Sequence, residues 1–280
     1  MKSYQKNKSQ SITSCNNSNI KYLASLRKER RRKSEKCVLV EGYREVMHAF
    51  DSIIDNIVSV QVFYCKDLLQ KYCKDIDKFL SNLPKGADVY LLSDKVFSKV
   101  SYGDRQEGLI VVFKLKNFIS NIKSYKEEKQ NPFYLICENI EKPGNLGAIL
   151  RVCDAVSVDM VILTDTVLDI YNPNVIRTSI GSVFTVPIAC GSNDEVYKFL
   201  KDNNIKVYSI TPEARNNYVD QDFTGPIACI VGSEHKGIST FWKKSSDISL
   251  SIPMKGKMDS LNVSMSAGVL LYEVLRQRSG

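Results

Sequence analysis

Histidine and tryptophan are scarce in this 280-residue chain: two His (His48, His235) and one Trp. Two histidines cannot build a multi-histidine metal centre. None of the eight cysteines forms a CxxC pair or a Cys/His cluster with zinc-ligand spacing. Several lie inside apolar, strand-like runs, such as Cys137 in FYLICENI and Cys229 in PIACIVG, where the thiol acts as a small core hydrophobe. Unpaired thiols of this kind fit a reducing compartment. No apolar run approaches the about 20 residues needed to cross a bilayer. The polar N-terminus has no secretory hydrophobic stretch, so a cytoplasmic address is expected. Two nucleotide signatures are also missing. GxGxxG is absent, and the one near-match to a Walker A loop, Gly232-x4-Gly237, continues with Ile238 where Lys is required. ATP hydrolysis and the usual dinucleotide binding therefore lose their main sequence support.

What is present is apolar residues at 43%, enough for a substantial core, and a net charge of +8 that is unevenly placed. Residues 1–36 carry 11 Lys/Arg and two Glu, a net of +9, which leaves the remainder at −1. A neutral body with a basic head suits a nucleic-acid or anionic-membrane partner, although a solubilising tail has the same composition. Residues 1–19, rich in Ser, Asn, Gln and Lys, have little to bury and are expected to be a disordered head. Residues 20–36 suit a helix.

From Cys37 on, strand-like and helix-like segments alternate. CVLVEG, NIVSVQVFY, ADVYLL and GLIVVFKL read as strands separated by helices, making a small α/β unit over 20–115. Residues 116–131 are charged and weakly periodic, and are expected to link two domains. A second alternation occupies 132–280, with strands at PFYLICEN, DMVILT, VFTVPIA, IKVYSIT, GPIACIVG and SDISLSIP and a long last helix. Repeated β-α alternation predicts an α/β fold with a mostly parallel sheet covered by helices.

Ligand sites in such sheets lie beyond the carboxyl ends of the strands. Three of these ends are rich in Gly, Asn, Ser and charge. The first runs over 138–151: Asn145, two glycines that permit close backbone approach, and Arg151 in the following helix. An arginine there can pair a phosphate in two-pronged fashion, but a capping Asn and a surface arginine explain the same residues. The second, IVGSEHKGIS, holds Gly232 and Glu234 and could wrap a small ligand or be a plain strand-to-helix turn. In the third, Ser260, Asn262 and Ser264 crowd the entry to the last helix beside Ile252, Met254 and Leu261. One capping residue would suffice, so the excess points to a pocket with apolar walls and specific donors.

Taken in order, these segments resemble the three motifs of the SpoU (TrmH-type) RNA 2′-O-ribose methyltransferases of the SPOUT superfamily. The resemblance is carried by Asn145-Leu146-Gly147-Ala148-x2-Arg151, by Val231-Gly232-Ser233-Glu234-x2-Gly237-Ile238, by Ile252-Pro253-Met254-x6-Leu261-Asn262-Val263-Ser264, and by Arg276-Gln277-Arg278. Residues 172–188 resemble the stretch between the first two motifs. Residues 20–115 resemble, more loosely, the L30e-like RNA-binding domain that many members carry. The resemblance implies a C-terminal α/β domain with a trefoil knot, S-adenosylmethionine held there as methyl donor, no metal, and a homodimer whose active site uses both chains. It implies cofactor contacts at Thr211, Gly232, Ile252 and Leu261. It places the catalytic arginine at Arg151, with Asn145, Glu234, Ser260 and Asn262 in support. The implied substrate is structured RNA, ribosomal RNA (23S) ahead of tRNA. The alternative is an RNA-binding protein on the same fold without catalysis.

Overall fold

The computed structural model describes residues 9–102, 106–166 and 168–279. The chain divides into two compact units, one of residues 1–118 with 171–184 and the other of residues 119–170 with 185–280.

The first unit opens with β1 (Ser9–Ile12), α1 (Ser18–Ser25) and α2 (Glu29–Glu35). It continues through β2 (Cys37–Glu41), α3 (Tyr43–Ile53), β3 (Ile57–Tyr64), α4 (Lys66–Leu69), α5 (Ile76–Ser81), β4 (Asp88–Leu92), α6 (Asp94–Val100) and β5 (Leu109–Leu115). Its sheet order is β1-β4-β3-β5-β2, parallel between β1, β4 and β3 and antiparallel where β5 meets β3 and β2.

Residues 9–19 correct the expected disordered head; residues 1–8 of that head lie outside the described residues. β1 takes its backbone hydrogen bonds from β4, and Ile12, 4% exposed, joins a core cluster with Ile20, Leu23 and Leu26. Composition misleads here because one apolar residue and a ready sheet edge suffice to order a four-residue strand.

The second unit begins with β6 (Ser120–Asn121), β7 (Phe133–Glu138), α7 (Pro143–Ala155) and β8 (Met160–Thr164). Two short helices follow, α8 (Pro173–Thr178) in the segment that groups with the first unit, and α9 (Ser182–Thr185). In that segment Gly181 (φ +85°) lies so near α3 that a Cβ would sit 3.2 Å from Glu45 Cα and from His48. Then come β9 (Ile188–Gly191), α10 (Asn193–Asp202), β10 (Lys206–Ile210), β11 (Asn216–Asn217), β12 (Ile227–Val231), α11 (Thr240–Ser245), β13 (Ile248–Ser251) and α12 (Val263–Arg278). The strand expected over 183–189 starts only at Ile188, because Val183 and Phe184 are buried as part of a helical turn.

The eight strands run β11-β13-β10-β12-β7-β8-β9-β6, parallel at every pairing. Every residue of β7, β8 and β12 is buried, as expected of strands covered on both faces. The last motif residues turn out to be fastenings. Arg278 donates to the carbonyls of Phe223 (3.0 Å) and Asn131 (3.1 Å) and lies over the Phe133 ring, while Gln277 accepts from Phe223 N (2.9 Å). They pin the end of α12 to the segments that lead into β7 and β12.

Among the described residues, no helix is long and apolar enough to cross a membrane, and no group of three or more His, Cys, Asp or Glu is placed to hold a metal ion. All eight cysteines are free; burial pushes the Cys137 and Cys229 thiols up to about 12.

Candidate functional site

Sheet order decides which loops meet. β10 lies between β13 and β12, and β7 flanks β12. Because all four are parallel, the segments after β10, β12 and β13 emerge at one edge and enclose a cavity of about 880 Å3. Its lining includes all four expected cofactor positions, Thr211, Gly232, Ile252 and Leu261, and three of the expected catalytic set, Glu234, Ser260 and Asn262.

The loop after β12 is folded tightly on itself. Ser233 N donates to Gly237 O (3.1 Å) and Gly237 N to Ser233 O (2.9 Å), while Ser233 Oγ accepts from Lys236 N (3.1 Å). Gly237 adopts φ +65°, which favours glycine. A Cβ on Gly232 would lie 2.2 Å from the Gly237 carbonyl carbon and 2.3 Å from Ile238 N, both backbone atoms. Below the loop, Glu138, at the end of β7, accepts from Ser239 N (2.7 Å) and from Asn193 Nδ2 (3.1 Å). Asn193 Oδ1 in turn accepts from the buried Trp242 indole (2.7 Å). Sequence reading missed this anchor, although a carboxylate at the carboxyl end of a central strand is a signal that could have drawn attention to Glu138.

Three motifs far apart in sequence join through side chains. Asn145 Nδ2 donates to Glu234 Oε1 at 2.6 Å, and Asn262 Nδ2 donates to Asn145 Oδ1 at 3.2 Å. Asn262 also caps α12, its Oδ1 accepting from Ser264 N (2.9 Å) and Ser264 Oγ (2.7 Å). Where the sequence left capping and a pocket as alternatives, Asn262 both caps α12 and lines the cavity. Ser260 Oγ donates to Asp259 (3.2 Å), and Thr211 Oγ1 donates to the Glu213 carboxylate. That bond, first among its causes, holds the Glu213 carboxyl below its usual range.

Burial pushes the Glu234 carboxyl upward. The hydrogen bonds from Asn145 and from nearby backbone N–H groups outweigh it, so the group lies below the usual carboxylate range. A depressed folded-state pKa contributes stability that is present above the unfolded value of about 4.3 and is lost as pH falls through the folded value. Asn145→Ala is therefore expected to cost about 1 kcal/mol at pH 7, a figure already discounted for solvent screening at this half-exposed pair. Urea titrations should show the gap between wild type and variant closing as the pH falls below about 4. A gap that stays constant with pH would show that Glu234 is not what Asn145 holds.

Arg151 is not brought to this network. It is exposed, carries no hydrogen bond or ion pair among the described residues, and does not line the cavity. Helix geometry explains why: six residues at about 100° each put its side chain about 120° around α7 from that of Asn145. Lys142 and Lys243, cationic members of the lining, were not singled out by the sequence.

Residues 132–272 match the SpoU rRNA Methylase family, just over half of the chain, and residues 17–111 match the MRM3-like substrate binding domain. The chain belongs to the SpoU rRNA methylase family. The Haemophilus influenzae 23S rRNA (guanosine-2′-O-)-methyltransferase RlmB is 30% identical over 240 residues, which cover 84% of this chain and 97% of that protein. The Bacillus subtilis 23S rRNA (guanosine(2553)-2′-O)-methyltransferase RlmP is 28% identical over 265 residues, 94% of this chain and 98% of that protein. A solved RNA 2′-O ribose methyltransferase superposes with a TM-score of 0.81 at 33% identity, covering 96% of this chain and all of that one. With this membership the enzyme class and the two-part α/β architecture expected from the sequence hold.

Proposed function

We propose that this SpoU family member transfers the methyl group of S-adenosylmethionine to a ribose 2′-OH of structured RNA, ribosomal RNA (23S) ahead of tRNA. The observation that carries the reading is a cavity enclosed by the segments after β10, β12 and β13 of one parallel sheet, the last two tied together by Glu234 and Asn262 through Asn145 of the motif that follows β7. Near-full-length similarity to two 23S rRNA methyltransferases supports the choice of RNA.

The residues present fit the donor. A volume of about 880 Å3 is ample for a nucleoside-sized ligand, and Ile252, Met254 and Leu261 offer apolar walls for a base. Thr211, Gly232, Ile252 and Leu261 are the proposed contacts. Bound there, S-adenosylmethionine would supply a methyl group activated by its sulfonium, so the protein's work is positioning. Asn262 and Ser260 can hold the incoming hydroxyl. Arg151 acts electrostatically: its planar guanidinium pairs the phosphate beside the target ribose or the developing oxyanion.

A homodimer belongs to the same reading. The outward residues of α12, which packs against α7, include Met265 (60% exposed) and Tyr272 (55%), an apolar surface. A second copy covering this face would bring Arg151 into a site built from both chains. The reading also takes the C-terminal part to be knotted around the donor, requires no metal, and locates the protein in the cytoplasm.

The test is tritiated methyl transfer to ribosomal RNA and tRNA pools from cells lacking the protein, with nucleoside analysis of the product. A 2′-O-methylated nucleoside in 23S rRNA is the expected result. RNA binding with no label in either pool would establish the non-catalytic alternative instead.

A further inference from the structure

The basic run of residues 21–36 does not hang free. α1 and α2 meet in a tight corner, and its arginines divide into those that build it and those that do not. Arg32, 1% exposed, donates from Nη1 to the carbonyls of Leu26 and Arg27, both at 2.8 Å, closing the end of α1. Arg27 donates to the carbonyls of Val100 and Ser101, clasping the end of α6, and lies 5.9 Å from the Tyr102 ring centroid. Arg31 and Lys33 are taken up by ion pairs within α2, with Glu35 and Glu29. Lys21, Lys28, Arg30 and Lys36 remain, exposed and in no ion pair among the described residues; Lys28 and Arg30 are the two at the corner. The clasped helix adds Lys95 and Lys99, both exposed and one turn apart on the same face.

The partner follows from what surrounds these charges. A membrane-binding basic helix keeps an apolar face free for the lipid. Here the apolar face of α1 (Ile20, Leu23) is spent in the protein core. Among the described residues, the large exposed apolar side chains of this unit, Ile54, Val58 and Tyr72, lie on other segments; the rings at the corner are only half-exposed, Tyr22 bonded through its hydroxyl to Glu35 (2.8 Å) and Tyr102 lying against Arg27. Rigidly mounted cations with no fully exposed apolar or aromatic side chain beside them suit the phosphate backbone of a helical stem, which is recognised by shape and charge.

We propose that the α1–α2 corner together with α6 is a docking surface for the phosphate backbone of an RNA stem. Lys28, Arg30, Lys95 and Lys99 make the contacts, and Arg27 and Arg32 are structural, building the corner that carries them. This rests on the proposed function, in that the stem belongs to the substrate RNA, and it sets the docking charges apart from the methyl-transfer site.

The experiment uses the full chain and a variant with Lys28, Arg30, Lys95 and Lys99 all changed to Gln. Binding to a labelled 23S rRNA stem-loop is measured by anisotropy across a series of KCl concentrations. With roughly 0.7–0.9 of salt slope per phosphate contact, the plot of log affinity against log salt should flatten by about 3. Affinity at 0.1 M KCl should fall at least tenfold, and KM for RNA should rise with kcat retained at saturation. Arg32→Lys should lower the melting temperature and leave the salt slope unchanged. Unchanged slope and KM in the quadruple variant overturn the surface while leaving the methyltransferase reading intact. RNA binding through these residues without methyl transfer overturns that reading and upholds the surface. Loss of binding to phosphatidylserine vesicles with RNA binding intact would identify a membrane surface and overturn the proposal.

Discussion

Gly232→Ala is expected to weaken S-adenosylmethionine binding by at least about a hundredfold, the scale of an overpacking cost near about 3 kcal/mol. The added methyl would meet the Gly237 carbonyl carbon at 2.2 Å and Ile238 N at 2.3 Å. Both belong to the backbone of a loop closed by two Ser233–Gly237 hydrogen bonds, so no flexible side chain can move aside. Relief requires opening the loop, and the loop is a wall of the cavity. Calorimetric titration of the cofactor reads the affinity, and a melting scan should show a fall of several degrees, at about 2–4 °C per kcal/mol. Gly256→Ala is the control, because a Cβ there meets nothing within 4 Å. Wild-type cofactor affinity in Gly232→Ala would remove this loop from the donor site.

Arg151→Ala should behave in the opposite way, with stability kept and turnover lost. The side chain is exposed and makes no bond that folding depends on, so the change in stability should stay within about 0.5 kcal/mol. If its guanidinium stabilises charge that develops on the reacting oxygen or fixes the adjacent phosphate, kcat should fall by about 100- to 1,000-fold. Arg151→Lys separates charge from shape: it keeps the cation but not the two-pronged geometry, and should recover only part of the loss. Full turnover in the Lys variant would exclude the planar-guanidinium role. Full turnover in Arg151→Ala would exclude the residue from catalysis.

The contrast with Arg278 shows why a motif alone does not assign roles. Both arginines stand in segments whose sequence resembles family motifs. Arg278 is half-buried and spends its donors on backbone carbonyls at the strand starts, whereas Arg151 has no partner for its donors among the described residues. The basic head carries the same lesson. Composition could count its charges but could not say that Arg27 and Arg32 are structural while Lys28 and Arg30 are available.

By itself the sequence determined the α/β alternation, the parallel character of the larger sheet and the three glycine- and polar-rich segments proposed to carry chemistry. These are local properties: fully buried parallel strands must read as unbroken apolar runs, and loops that approach a ligand need glycine and small polar residues. Tertiary structure alone decided sheet order, and with it which loops share a cavity, because the pairing of β10 between β12 and β13 depends on contacts among residues tens of positions apart. It also decided that Asn145, Glu234 and Asn262 form one hydrogen-bonded chain while Arg151 faces away, that residues 9–12 complete a sheet edge, and that Glu138 anchors the second motif through Ser239 and Asn193. A side chain's partner is set by where the backbone carries it in space. Local pattern fixes the direction of each element but leaves open which other elements will be its neighbours.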